Sequence, residues 1–220
     1  MVGKLKTALI GFAAALILGL APASTLAGEP LLDPIGADIT FAGGGSAILN
    51  TVWFGNVGCQ NVDASGTIGP SGKSGTMTLD MTGCHVIFNG FTYPCQSTSA
   101  PLSNTIKLAG TFETTYLTDG KTKPGIKFNI AATRIGCGYA APPPTVATLS
   151  GSVLGTLPAP ACAVESNKGT INFAGDQQIT GTGPSITLMS TNAAETEQAP
   201  GGLSADLSVE FSKAIKVTCV

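Results

Sequence analysis

Residues 83–95 read GCHVIFNGFTYPC, and whether this stretch is reactive chemistry or framework decides what fold surrounds it. It holds the single histidine of the chain, His85, between two of its six cysteines. Asn89-Gly90 is the strongest short-range signal for a two-residue β-hairpin loop, because a type I′ turn needs positive φ at both central residues. With that loop, Phe88 faces Phe91, Ile87 faces Thr92, Val86 faces Tyr93, His85 faces Pro94 and Cys84 faces Cys95. Successive strand side chains alternate between faces. Cys84, Val86, Phe88, Phe91, Tyr93 and Cys95 therefore share one almost wholly apolar face, expected to lie against a core. His85, Ile87, Thr92 and Pro94 share the other. Pro94 falls at a non-hydrogen-bonded pair, where its missing N–H costs the ladder nothing.

On this reading the histidine points away from both cysteines. A Cys-His nucleophile pair, or a metal shared by all three residues, would need them to converge. His85 is expected as a sheet-surface residue and the cysteines as framework. Two frameworks fit. Cys84–Cys95 would staple the hairpin across a hydrogen-bonded pair, where the Cα spacing permits a disulfide. The sequential set Cys59–Cys84, Cys95–Cys137 and Cys162–Cys219 is preferred. It lets both core-facing hairpin cysteines reach other strands, and it pins the C-terminus through Cys219.

All six cysteines follow an N-terminal leader. Lys4 and Lys6 precede an apolar run from about Ala8 to Ala21 and then small residues, the pattern of a cleaved secretory signal peptide. The run is broken by glycines and is shorter than the ~20 apolar residues of a membrane span. Cleavage is expected after Ala27, leaving residues 28–220 as a single all-β domain without a transmembrane segment. An even cysteine count behind such a leader predicts disulfides in an oxidising compartment. The location expected is extracellular, with surface association. Losing two lysines moves the net charge from −2 to about −4. Arg134 is the only arginine and the lysines are scattered, so no basic surface exists to neutralise nucleic-acid phosphates.

Helix signals are nearly absent. Period-two segments rich in Thr, Val, Ile and Phe recur between glycine-containing turns. Strands are expected at 37–43, 46–54, 74–82, 85–88, 91–94, 105–117, 126–137, 146–157, 170–175, 185–191 and 203–220. Asp119-Gly120 marks a second hairpin, and 139–145 and 195–202 read as loops. About 10–12 short strands with three disulfides predict an antiparallel β-sandwich, or a partly closed barrel. Cys59 to Cys84 and Cys137 to Cys162 have equal spacing, but the segments between hardly match, so shared strand composition accounts for the echo.

Other motifs fall short of chemistry. GPSGKSG (69–75) lacks the first glycine of a phosphate-binding loop, since Thr67 stands there, and TMTLDM after it alternates as a strand rather than a helix. It reads as a hairpin turn. A serine hydrolase would have only His85 as base, with no G-x-S-x-G elbow. Asp63 and Asp80 fall on expected neighbouring strands, as do Glu113 and Lys127, and read as solvated strand-face charges rather than a carboxylate pair for glycoside hydrolysis. No metal-ligand spacing appears, and a calcium site from loop carbonyls stays open. Trp53 beside Phe54 puts one ring outward, with Trp53 read as core or sheet-edge packing.

The order TGC (82–84), YPCQS (93–97), TIKLAGTF (105–112), TKPGIKFNI (122–130), IGCG (135–138), SGSVLG (150–155) and FAGDQQ (173–178) resembles small secreted proteins of high-GC Gram-positive bacteria. The resemblance covers roughly residues 57–180, and Cys162 and Cys219 are not part of its shared pattern. It implies an exported, disulfide-bearing β-sandwich and no active site. The sequence thus predicts a non-enzymatic protein of the cell envelope or extracellular matrix, acting by surface or self-association and needing no cofactor. A carrier for a small apolar ligand is the alternative, and a secreted hydrolase comes third.

Overall fold

The structure, a computed structural model, describes residues 30–34, 36, 38–51, 55–97, 104–117, 123–138, 145–159, 162–174, 186–190 and 198–219. The leader, Trp53, Phe54 and the Asp119-Gly120 turn lie outside the described residues. The strands are β1 (Leu31–Asp33), β2 (Ile39–Thr51), β3 (Gly55–Ile68), β4 (Ser74–Thr82), β5 (His85–Phe88) and β6 (Phe91–Ser97). They continue as β7 (Thr105–Tyr116), β8 (Pro124–Cys137), β9 (Thr145–Ala159), β10 (Glu165–Ala174), β11 (Ile186–Ser190) and β12 (Gln198–Thr218). All pair antiparallel in one sheet.

That sheet closes on itself. The ring runs β12-β2-β3-β4-β7-β8-β9-β10 and back to β12, an eight-stranded barrel. The all-β antiparallel expectation holds. The sandwich does not, because the β8–β9 and β10–β12 ladders leave no gap between two sheets, and closure removes the free edges a sandwich keeps.

The barrel has two tiers. At one end β4 and β7 stand between β3 and β8, and β10 stands between β9 and β12. At the other end the β5–β6 hairpin replaces β4–β7, and β11 replaces β10. Bulges mark the change of tier. Gln60 and Asn61 of β3 together oppose Ser46, and Ala131 and Ala132 of β8 oppose Ser150. Each extra residue bends its strand where its partner changes.

Sequence alternation explains the packing. Val62, Ala64 and Ile68 of β3, Met77, Leu79 and Met81 of β4, and Ile106, Leu108 and Phe112 of β7 are all buried. Lys107, Glu113, Lys127 and Glu210 stand on the outer wall. Apolar inside and charged outside is the reverse of a barrel that faces lipid along its strands.

Three inward phenylalanines each cover a glycine directly across the ladder. Phe41 opposes Gly66, Phe112 opposes Gly75 and Phe173 opposes Gly155. A Cβ at these glycines would stand 2.4, 2.7 and 2.8 Å from the facing ring. The missing side chain is the space the ring occupies, a cross-strand device suited to a strongly coiled sheet. Phe41 also meets Phe112 and Phe211 edge-on, with ring centroids 6.2 Å apart in both pairs.

Three expectations are corrected here. Strands 37–43 and 46–54 are one strand, β2, because Gly43-Gly44-Gly45 runs extended and does not turn. A Cβ on Gly43 or Gly45 would stand within 2 Å of a β12 carbonyl oxygen, so these glycines serve close approach of the two strands. β3 was absent from the expected strand ranges, although Asp63 was read as a strand residue, since its Gly, Asn, Asp and Ser content reads as loop and its bulge breaks the two-residue period. Residues 198–202, expected as loop, open β12.

Candidate functional site

The hairpin at 85–97 has the expected register, with His85 opposite Pro94, Val86 opposite Tyr93, Ile87 opposite Thr92 and Phe88 opposite Phe91. The Cys95 N–H donates to the Cys84 carbonyl at 2.9 Å. Asn89 (φ 49°) and Gly90 (φ 79°) both occupy the left-handed region, as a type I′ turn requires.

Disulfides flank it on both sides. Cys59–Cys84 ties the entry to β5 onto β3, and Cys95–Cys137 ties β6 onto β8. Cys162–Cys219 holds the end of β12 at the opposite tier. This is the sequential framework, so Cys84 and Cys95 reach outward to neighbouring strands rather than to each other. Cys59, Cys84, Cys95 and Cys137 are all buried. The equal spacing of Cys59–Cys84 and Cys137–Cys162 has no echo in the connectivity.

Between these staples the hairpin rises past the barrel wall. β5 pairs with β3 only at Gly58–His85, and β6 pairs with β8 only from Cys95 to Ser97. The face expected as core is core only at its base, where Cys84, Val86 and Cys95 are buried and Tyr93 packs partly against them. At the tip Phe88 is 62% exposed and Phe91 66%, while Ile87 on the other face is 67% exposed. The alternation was right. What it could not show is that, among the described residues, no neighbouring strand extends far enough to cover Phe88 and Phe91.

His85 lies on the outer face, and its Nδ1–H donates to the Gly83 carbonyl at 3.0 Å. With Ile48, Gly55, Asn56, Gly58 and Ile87 it lines an open groove where β3 and β5 part. His85 and the cysteines do not converge. The carboxylates are spread over the outer wall. Asp63 opposes Asp80, which pairs with Lys107 at 3.4 Å; Glu113 opposes Lys127, and Asp206 accepts a hydrogen bond from Asn172. Among the described residues no three His, Cys, Asp or Glu side chains gather to hold a metal ion. Residues 69–73 turn between β3 and β4, with a strand and not a helix after them.

Between Phe41, Phe112, Leu157, Ile171, Phe211 and their neighbours the free volume is about 20 Å³, the space of one water molecule. Buried Ser97 Oγ accepts from the Lys107 N–H at 3.0 Å, and buried Thr114 Oγ1 donates to the Lys73 carbonyl at 3.3 Å, so these polar groups are satisfied within the wall.

Charge is distributed unevenly along the barrel axis. At the hairpin end, Ala47–Thr51 of β2, Gly55–Asn61 of β3, residues 83–97, β11 and Gln198–Ala205 of β12 carry no charged side chain. The matching part of β8 adds only Arg134, and the start of β9 adds none. Among the described residues the hairpin end therefore combines an apolar tip with a single charge, Arg134, and in sequence the connection from β11 to β12 adds Glu195 and Glu197. Compared with known protein families, curated proteins and solved structures, the chain matches none.

Proposed function

We propose that this is a non-enzymatic exported protein of the cell envelope or extracellular matrix, and that it acts by surface or self-association through its stapled hairpin tip. The observation that carries the reading is the pairing of exposure with rigidity. Ile87, Phe88 and Phe91 stand in solvent on a hairpin whose two sides are fixed by disulfides. Apolar side chains clustered in solvent mark contact sites on soluble proteins, and a preorganised contact loses little conformational entropy on binding. Three disulfides are compatible with an extracellular protein. The carrier alternative finds little room between the interior side chains described above.

The test is to follow the unreduced protein in its own host and in solution. Fractionated cultures and light scattering are compared for the native chain and for the Phe88→Ser, Phe91→Ser double variant. The expected result is envelope retention or self-association in the native protein, lost in the variant. A strict monomer retained by no envelope fraction would overturn the proposal.

A further inference from the structure

We infer that the hairpin end contacts a lipid surface, the tip of Ile87, Phe88 and Phe91 entering the boundary between headgroups and acyl chains while the barrel stands end-on in water. This rests on the proposed contact role of the tip and names what the tip meets.

Area argues against a second copy. Aromatic side chains bury roughly 150–250 Å² each, so at exposures of 62–67% the three tip residues offer about 350 Å². Two tips meeting would bury about 700 Å², below the ~1,200 Å² at which specific interfaces become stable. The tip is also a projection. A protein partner would need a matching pocket to cover it, whereas lipid adapts to its shape.

Charge argues for lipid over a polar envelope component. Four of the five described large apolar side chains that stand exposed (Ile48, Ile87, Phe88, Phe91) lie at the end where Arg134 is the one charge among the described residues. Taking charge into a low-dielectric layer is costly, and residues 83–97, which carry the tip, hold no Lys, Arg, Asp or Glu. Asn56 is exposed at the rim and is polar enough for a headgroup layer. Ile87 to Asn89 extend about 10 Å beyond buried Val86, close to the ~5–10 Å reached by interfacial apolar groups. Because residues 83–97 hold no Lys, Arg, Asp or Glu, the contact made by the tip is apolar and needs no anionic headgroup.

The test is flotation of the unreduced chain from residue 28 onward with vesicles of pure phosphatidylcholine, and with vesicles containing equal phosphatidylglycerol. Salt is varied from about 0.1 to 1 M, which shortens the screening length from about 10 to 3 Å. The expected result is comparable flotation with both vesicle types at all salt concentrations. The Phe88→Ser, Phe91→Ser variant, with an unchanged melting temperature, should bind at least about tenfold more weakly, since it loses about two thirds of the exposed apolar area of the tip. Failure of the native chain to float overturns the inference, as does equal flotation of the variant or binding to anionic vesicles alone that salt abolishes. Envelope retention that depends on the tip but occurs without vesicle binding rejects lipid and leaves the contact role standing. A tip-dependent dimer without flotation assigns the surface to a second copy. Loss of both retention and flotation removes both readings.

Discussion

Cys95 and Cys137 face each other directly across the β6–β8 ladder, their Cα atoms 4.1 Å apart. This bond fixes one side of the hairpin to the barrel wall, and Cys59–Cys84 fixes the other. The hairpin is therefore a stave of the upper tier at its base and a free projection at its tip. That division between held and exposed residues organises the account.

Replacing both Cys95 and Cys137 by serine should lower stability by about 4 kcal/mol in the loop-entropy treatment of a 42-residue separation. Urea unfolding of the unreduced variant measures this. Peptide mapping of the native protein without reduction should return the three sequential pairs and no Cys84–Cys95 peptide.

Phenylalanines at the two ends of the exposure scale should behave oppositely. Phe128 is fully buried against Phe173, so Phe128→Ala should cost about 3–5 kcal/mol. Phe88→Ala should stay within about 0.5 kcal/mol of the native protein, as an exposed substitution does. Equal losses in a urea titration would mean that the tip is packed.

The glycines beneath the aromatic rings should resist enlargement. A Cβ on Gly66 would stand 2.2 Å from the Thr76 carbonyl oxygen and 2.4 Å from the Phe41 ring. Gly66→Val should therefore destabilise by about 3 kcal/mol, the upper range of overpacking. The shift in thermal midpoint checks this.

Asp63 and Asp80 face one another with like charge, and Asp80 also has Lys107 at 3.4 Å. Asp63→Thr removes the repulsion and leaves that ion pair, so it should stabilise by about 0.2–1 kcal/mol. The gain should shrink as salt screens the exposed pair. A loss of stability at low salt would contradict this.

Much of this architecture is written in local sequence signals. Asn89-Gly90 set the hairpin register residue by residue, because turn length and side-chain period leave one pairing. β4 at 74–82 was expected with its observed bounds, since its alternation is unbroken. Asp63 and Asp80, and likewise Glu113 and Lys127, were expected on neighbouring strands, where the structure has them. β3 was lost because the bulge at Gln60-Asn61 shifts its apolar phase from Val57 and Cys59 to Val62 and Ala64. Barrel closure was not set by any one segment, since it depends on β8 meeting β9 and β10 meeting β12 across the whole chain. The exposure of Phe88 and Phe91 was hidden for the same reason: alternation names a face, and only the lengths of neighbouring strands decide what covers it. The uncharged stretch 83–97 was the available hint.

The most direct test of the central claim is hydroxyl-radical footprinting of the unreduced protein, free and in the presence of phosphatidylcholine vesicles. The account predicts strong labelling of Phe88 and Phe91 in the free protein, weak labelling of Phe128 and Phe173, and vesicle protection confined to the hairpin tip and its rim. Weak labelling of Phe88 and Phe91 in the free protein, or vesicle protection centred on the charged end of the barrel, would contradict it.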